Sequence, residues 1–339
     1  MSRSGKLLFV VFVGLIFIFK NYMIVIGQTK PVLVALNKAE ASLTIIDPST
    51  MKVVAKVPVG DSPHEVVLST DGKTAFVANY GAQTPGNSIS VIDVATAKEI
   101  RRFDTSPLLR PHGLQFLAGK LYFTSETNRL IARYDPAANK IDWMMGTGQN
   151  GSHMIAVSPD QKKFYTANIG SDSITSFEFQ NVPPAGSKIT HIPVGKQPEP
   201  IDLSPDGKEV WTGLNAEGMV EVVDTATYKS VAKINVGGRP YRVKFTPDGK
   251  QVVCTLIATQ EILVLDAATR KELRRMKIDN VPMGIVFSGD GKTAFVTTVK
   301  ADPAAPGTDA VLKIDLQKME ITGRTDSGKA PDGIAVAGV

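Results

Sequence analysis

Short apolar runs separated by polar turns recur along almost the whole chain. In residues 61–81 an apolar run at Val66–Leu68 is followed by Asp71-Gly72 and then by a second apolar run at Ala75–Ala78. Glycine takes the positive φ that a tight hairpin turn requires. This stretch therefore predicts two antiparallel strands joined by a turn.

The same pattern recurs at a spacing of about 45 residues, which is typical of repeat proteins. The later copies read RPHGLQFLAGKLYFTSE, GSHMIAVSPDQKKFYTAN, QPEPIDLSPDGKEVWTGLN, RPYRVKFTPDGKQVVCTL and VPMGIVFSGDGKTAFVTT, and a partial copy, APDGIAVAGV, follows near the end. A repeat of this length predicts one closed or stacked array instead of two separate domains.

The number of strand-like runs indicates how the array closes. Residues 31–60 hold three such runs, each of the six full repeats holds four, and the last partial copy holds one. These 28 runs predict an all-β, seven-bladed β-propeller over residues 29–339, with four antiparallel strands in each blade. The C-terminal strand is expected to complete the N-terminal blade, which leaves no open sheet edge.

Several short motifs resemble those of a known repeat family. They are SPDGK at 204–208, TPDGK at 246–250, FVAN at 76–79, YTAN at 165–168 and turns of the VIDVAT type. These motifs resemble the YVTN β-propeller repeats, as in YncE-like and surface-layer-type seven-bladed propellers, from about residue 31 to the end. The resemblance implies the propeller fold. It assigns no activity, because that family holds binding, surface and electron-transfer proteins as well as enzymes.

The first 28 residues have a different pattern. Arg3 and Lys6 precede the apolar run Leu7–Phe19, which predicts a signal peptide over residues 1–28 and a periplasmic or secreted protein. The alternative is an uncleaved anchor through Leu7–Ile26. Lys20 would lie inside that anchor at a high insertion cost, which favours cleavage.

Charge and cysteine content exclude several classes of function. Cleavage would remove three basic residues and no acidic one, and so lower the formal net charge from +5 to +2. No nucleic-acid partner is expected at that charge. Cys254, the single cysteine, excludes an internal disulfide, a C-x-x-C-H haem attachment and a thiolate zinc cluster, and is expected in the core.

One position in each repeat carries most of the candidate chemistry. It lies seven residues before the turn Asp, at the start of the first strand, and three of the four histidines occupy it. Because the first strand of each propeller blade lines the central channel, these residues are expected to form a ring at one channel mouth. In spatial order the channel-mouth ring is Asp332, His64, His112, His153, Glu199, Tyr241 and Met283.

Imidazole and carboxylate groups in one ring favour three interpretations. In the first, His64, His112, His153 and Glu199 bind a divalent zinc, copper or iron ion, and Glu126 and Asp332 act as catalytic acid–base residues. The second is a metal-free acid–base or anion pocket. The third is a hydrated channel whose histidines are hydrogen-bonded to Asn79 and Asn168, which hairpin pairing would place opposite His64 and His153. The long loops Gly81–Asn87 and Lys300–Asp309 are expected at the same mouth.

Three hypotheses about function follow. The first is a metal-dependent hydrolase, lyase or oxidoreductase that acts on a small molecule. The second is a non-catalytic binding or scaffold propeller that presents its mouth to a ligand or protein. The third is a partner subunit of a periplasmic redox system whose cofactor sits on another chain. A monomer without a membrane span after cleavage is expected in each case.

Overall fold

The computed structural model describes residues 31–180, 186–302, 304 and 307–339, and within them the protein is a seven-bladed β-propeller. It has 28 strands in seven four-stranded antiparallel sheets, and its helical content is two 3₁₀ turns at Lys38–Glu40 and Ile169–Ser171. The predicted fold is confirmed. The predicted signal peptide lies outside the described residues. No helix in the described part of the chain is long and apolar enough to cross a membrane.

The strand bounds follow the repeat. In chain order they are β1 Val32–Asn37, β2 Ser42–Asp47, β3 Lys52–Pro58, β4 Pro63–Leu68, β5 Thr74–Asn79, β6 Ser88–Asp93, β7 Lys98–Asp104, β8 Pro111–Leu117, β9 Lys120–Ser125, β10 Leu130–Asp135, β11 Lys140–Gly146, β12 Ser152–Val157, β13 Lys163–Asn168, β14 Ser173–Phe179, β15 Ser187–Pro193, β16 Pro198–Leu203, β17 Glu209–Leu214, β18 Met219–Asp224, β19 Ser230–Asn235, β20 Pro240–Phe245, β21 Gln251–Leu256, β22 Glu261–Asp266, β23 Glu272–Lys277, β24 Val281–Phe287, β25 Thr293–Val299, β26 Ala310–Asp315, β27 Glu320–Thr325 and β28 Pro331–Ala337.

The ring closes through a blade built from both ends of the described chain. Strand β28 pairs antiparallel with β1, with Val34 opposite Ala335, and the sheet order is β28-β1-β2-β3. The innermost strands contact one another in a closed cycle of β4, β8, β12, β16, β20, β24, β28 and again β4. The predicted closure by the C-terminal strand is therefore confirmed.

The recurring SPDGK motif forms the hairpin turns. Asp71 accepts hydrogen bonds from the Ser69 hydroxyl at 2.7 Å and from the Lys73 backbone N–H at 3.1 Å, and Gly72 takes a φ of 68°. The Ser or Thr, the Asp and the Lys make the same two bonds at 158–162, 204–208, 246–250 and 288–292. The motif is thus turn chemistry repeated at one end of the channel.

The core lies between consecutive blades. Trp211 and Phe245, from neighbouring blades, pack edge to face with ring centroids 5.6 Å apart, and buried Cys254 belongs to the same apolar cluster. The prediction that Cys254 is a core residue is confirmed. Stacked apolar layers of this kind hold the seven blades in fixed positions around the channel.

A β-bulge near the start of the inner strands corrects the predicted pairing across the hairpins. Asn79 lies opposite Pro63, and Asn168 lies opposite Ser152, so neither asparagine pairs with a ring histidine. The register shifts between Pro63 and Val66, because the bulge inserts residues that have no partner across the hairpin. Proline suits the first position of an inner strand, because it has no backbone N–H that would be left unpaired there.

Candidate functional site at the channel mouth

Three ring histidines from consecutive blades contact one another at the channel mouth. His64 Nδ1 and His112 Nε2 are 3.2 Å apart and form a hydrogen bond. The rings of His112 and His153 stack with centroids 3.7 Å apart and an interplanar angle of 28°. The repeat therefore brings the three imidazoles into one continuous row.

Two carboxylates flank the third imidazole of the row. His153 Nδ1 lies 3.5 Å from Glu126 Oε1, and His153 Nε2 lies 3.7 Å from Glu199 Oε1. Both distances are ion-pair contacts longer than a usual hydrogen bond. Asn215 donates a hydrogen bond to the other Glu199 oxygen, and the Tyr80 hydroxyl donates one to Glu126.

The row contains imidazoles in opposite protonation states at neutral pH. Burial lowers the pKa of His64 to about 4, although Asp332 opposes the shift, and burial also lowers the pKa of His112 well below its usual range. Burial acts in the same direction on His153, but Glu126 and Glu199 outweigh it and raise the pKa of His153 to about 9. At pH 7, His153 is a cation and the other two rings are neutral.

A second ring of side chains supports the first. Its members lie at the channel-mouth end of the second strand of each blade, directly after that strand or, for Val299, at its last residue. The polar members are Lys38, Tyr80, Glu126 and Asn215, and the apolar ones are Ile169, Ile257 and Val299. Each polar member contacts a channel-mouth residue of the same blade or the next one. The polar members belong to the closing blade and the blades of β5, β9 and β17, with Ile169 between the last two, and Ile257 and Val299 form the apolar part of the ring.

Tyr80 is a site residue that the sequence patterns missed, as are Lys38 and Asn215. Its ring stacks on His64 with centroids 4.4 Å apart and meets His112 edge to face at 5.2 Å. The guanidinium of Arg110 lies 4.5 Å from the Tyr80 ring centroid. Burial, reinforced by Glu126, raises the pKa of Tyr80 to about 12, so the hydroxyl stays protonated and donates a hydrogen bond to Glu126. The sequence position of Tyr80 could have indicated its role, because Tyr80 directly follows Asn79 and is equivalent to Glu126 in the next blade.

Asp332 is fully buried in a separate cluster of the channel-mouth ring. It accepts hydrogen bonds from the Tyr241 hydroxyl at 2.9 and 3.0 Å, and Lys38 Nζ lies 3.0 Å from Oδ2. Burial would raise the pKa of Asp332, but Lys38 and Arg242 outweigh it and hold the pKa below its usual range. Asp332 therefore remains ionised and anchors Tyr241 and Lys38.

An ion pair crosses the channel just below the channel-mouth ring. Arg242 of β20 forms a short ion pair with Glu65 of β4, and these strands lie on well-separated blades. A cavity of about 580 Å³ begins at this pair, and residues from all seven inner strands line it. The lining residues follow the ring position in each strand, so the cavity extends toward the SPDGK turns. The Glu65–Arg242 pair thus separates the histidines from the cavity.

The predicted asparagine partners have other roles. The Asn79 side chain accepts a hydrogen bond from the Gly60 N–H at 2.9 Å and donates one to Ser90 at 2.9 Å. Asn168 donates to Thr175 at 2.9 Å. Both tie strands together inside their blades. The interpretation in which these asparagines bind the histidines is corrected by the bulge register.

Metal binding was tested against the geometry of the four predicted ligands. The nitrogens of His64 and His112, 3.2 Å apart, have about the separation of two ligands on one tetrahedral ion, ~3.4 Å for bonds of about 2.1 Å. Across the described ranges, no group of three or more His, Cys, Asp or Glu side chains is arranged to hold a metal ion. The His64–His112 distance is therefore compatible with a shared ion, whereas the four predicted ligands are not arranged around one.

The structure describes the two predicted loops to different extents. Gly81–Asn87 lies at this mouth, where Arg110 donates to the Gly81 carbonyl at 3.3 Å and to the Ala82 carbonyl at 3.0 Å. Part of Lys300–Asp309 lies outside the described residues. At its described end, Asp309 accepts a hydrogen bond from the Ala330 N–H, directly before β28.

Comparisons with known proteins agree with this fold. Residues 20–174 match the family model of the YNCE-like beta-propellers, which confirms the resemblance to YncE-like propellers. No curated protein sequence matches the chain. The structure of Kuenenia stuttgartiensis hydrazine synthase is similar, with a TM-score of 0.69 and 18% identity over 87% of this chain and 98% of that chain.

A second solved structure, dihydro-heme d1 dehydrogenase NirN in complex with DHE, is similar with a TM-score of 0.65 and 17% identity. The match covers 88% of this chain and 64% of that chain. At these identities the two similarities show a shared propeller fold and nothing about activity.

Proposed function

We propose that the channel mouth binds a small molecule and that protonated His153 stabilises, and then protonates, an oxygen atom that gains negative charge during its reaction. The observation that carries this proposal is the row of three imidazoles with two carboxylates at one end. The carboxylates of Glu126 and Glu199 hold a proton on His153, while His64 and His112 lie 3.2 Å apart in a neutral pair. Neighbouring groups whose environments separate their pKa values are typical of acid–base sites.

Each group of the site has a defined part in this proposal. His153 supplies positive charge and a proton, and Glu126 and Glu199 orient its ring. The His64–His112 pair offers one donor and one acceptor to the bound molecule, whichever tautomer is present. Tyr80 keeps Glu126 in place through its hydroxyl and covers His64 with its ring. Asp332 acts on the site through Lys38 and Tyr241, and its direct acid–base role stays a prediction.

The first test measures protonation and binding in one set of variants. Histidine-selective NMR should find one ring that titrates near pH 9, absent in His153→Gln, and two rings that stay neutral above pH 6. A thermal-shift screen of small polar molecules should then give ligands that stabilise the parent and lose their effect in His153→Gln. Arg102→Gln, on the outer strand β7, is the control. An ordinary pKa near 6.5 for His153 would refute the proposal.

A metal ion is the second candidate, and the 3.2 Å separation of the His64 and His112 nitrogens favours it. These two neutral imidazoles would be the first ligands, with His153 and Glu199 as the further ligands predicted from the sequence. A bound zinc, copper or iron ion would polarise an oxygen of the substrate. Elemental analysis after incubation with each ion should find about one equivalent, lost in His64→Ala/His112→Ala. Equal metal content in parent and variant would contradict this candidate.

A role beside a redox enzyme remains the third candidate. The two similar structures are those of a hydrazine synthase and a dihydro-heme d1 dehydrogenase. A covalently attached c-type haem would sit on another chain, because a single cysteine leaves no C-x-x-C-H attachment motif. Co-purification with a haem-absorbing partner would support this role, whereas a monomer in extracts of the native host would contradict it. Export also stays a proposal, tested by the N-terminal sequence of the mature protein.

A further inference from the structure

The three carboxylates at the channel mouth already accept bonds or ion pairs from the protein. Asp332 accepts from Tyr241 and Lys38, Glu126 accepts from Tyr80 and faces His153, and Glu199 accepts from Asn215 and faces His153. A carboxylate has about four acceptor sites, and burial restricts how many more donors can reach them. A bound molecule would therefore find few free carboxylate acceptors here, and the buried Asn215 Oδ1 is an amide acceptor without a partner among the described residues.

Arg239 lies at the same mouth, and its guanidinium N–H groups can donate further hydrogen bonds. Its side chain is 51% exposed, and its contact with a carboxylate is a long one, 3.9 Å from Nη2 to Glu199 Oε2. Among the described residues its guanidinium makes no hydrogen bond shorter than this contact. Arg110 occupies the equivalent position of another blade, directly before the inner-strand proline, and donates to two backbone carbonyls. The two arginines differ in that the Arg239 fork remains free.

A second observation points to a missing hydrogen-bond partner at the channel mouth. His112 is 2% exposed, and within the described residues its Nδ1 atom has no hydrogen-bond partner. Glu199 lies between Arg239 and His153, so the free guanidinium and the cationic imidazole flank one carboxylate. A free guanidinium beside an imidazole that two carboxylates flank, next to a buried ring nitrogen without a partner, favours a ligand with acceptor oxygens.

We infer that the molecule bound at the mouth carries a carboxylate group and that Arg239 is its specificity-determining residue. This inference rests on the proposed function of the same site. The planar guanidinium matches a carboxylate through two parallel hydrogen bonds. The rest of the molecule extends toward His153 and His112. Arg239 thus selects the ligand, and His153 acts on it.

The test uses defined anions as probes and follows the His153 ring signals by NMR at pH 7. Acetate, malonate, succinate and citrate are titrated at constant ionic strength, with acetamide as the neutral isostere of acetate. At least one carboxylate should bind saturably and acetamide should not. Arg239→Gln should weaken that binding at least about tenfold, as expected for the loss of a charge-assisted hydrogen bond. Arg102→Gln, which removes an exposed arginine of β7, should bind like the parent.

Three results would overturn the inference. They are no saturable binding by any carboxylate, parent-like binding by Arg239→Gln, and binding of inorganic phosphate at least tenfold tighter than every carboxylate. The ligand-free titration of His153 separates this inference from the proposed function. If the pKa of His153 is near 6.5 but a carboxylate binds in a way that depends on Arg239, only the proposed function is refuted. If the pKa of His153 is near 9 but no carboxylate binds, only the inference about Arg239 is refuted.

Discussion

The charge on His153 links the site to the stability of the whole protein. Its pKa rises from 6.5 to about 9 on folding, because Glu126 and Glu199 outweigh the effect of burial. Each unit of difference between the folded and unfolded pKa corresponds to about 1.4 kcal/mol. The protonated ring should therefore add about 3 kcal/mol to the free energy of unfolding.

The sign of the pH dependence follows from the raised pKa. The stabilisation is fully present below pH 6.5 and is lost as the pH rises through about 9. Between pH 7 and 8.5 the folded chain holds about one more proton than the unfolded chain. The free energy of unfolding should then fall by about 1.4 kcal/mol per pH unit. His64 and His112, whose pKa values are lowered, should act in the opposite direction, below pH 6.5.

Urea unfolding at four values between pH 6.5 and 9 measures this slope. His153→Gln should remove it, because glutamine carries no titratable proton. His191→Gln is the matched control, since His191 is exposed on β15, far from the channel mouth, and forms a hydrogen bond with Thr175 of the neighbouring strand β14. A flat profile in the parent between pH 7 and 8.5 would refute the reasoning, and so would an undiminished slope in His153→Gln.

Three further changes test the scaffold beneath the site. Deletion of Pro331–Val339 should open the closed sheet and expose two edges, so a deletion variant as soluble and heat-stable as the parent would contradict closure. Arg242→Met should lower the free energy of unfolding by about 3–5 kcal/mol, because it leaves Glu65 as an unpaired buried carboxylate. Adding Glu65→Gln should recover part of that loss in urea melts, and no recovery would argue against the pair. Gly333→Ala should lower the melting temperature, because a Cβ there would lie 2.4 Å from a backbone carbonyl oxygen of the next inner strand, whereas Gly146→Ala, with no atom closer than 4.0 Å, should not.

The repeat made the fold and the channel-mouth ring predictable from the sequence. Ring positions recur at a fixed distance before the turn, so alignment alone brought His64, His112 and His153 together. The pairing of Asn79 was wrong by one residue, because a bulge changes the register without changing the apolar pattern. Tyr80 was missed for the same reason, since it lies one residue beyond the position that the hairpin count selected.

The repeat pattern could not predict contacts across the channel. Arg242 and Glu65 come from non-neighbouring blades, and alignment within one repeat cannot indicate which of the other blades a long side chain reaches. The protonation of His153 likewise depends on Glu126 and Glu199, which belong to the blades on either side. The sequence identifies the residue types at the mouth, while their charges follow from distances between blades.

The closing blade also sets the time at which the site can form during synthesis. Lys38 follows β1, which is made early, whereas its partner Asp332 lies in β28, which is made last, and the two atoms of the pair are 3.0 Å apart. A nascent chain holds the first three strands of this blade without their inner neighbour until β28 has left the ribosome. The sheet of β1, β2 and β3 is therefore completed only after β28 has been synthesised. A chain truncated before β28 lacks both a closed ring and the carboxylate that binds Lys38.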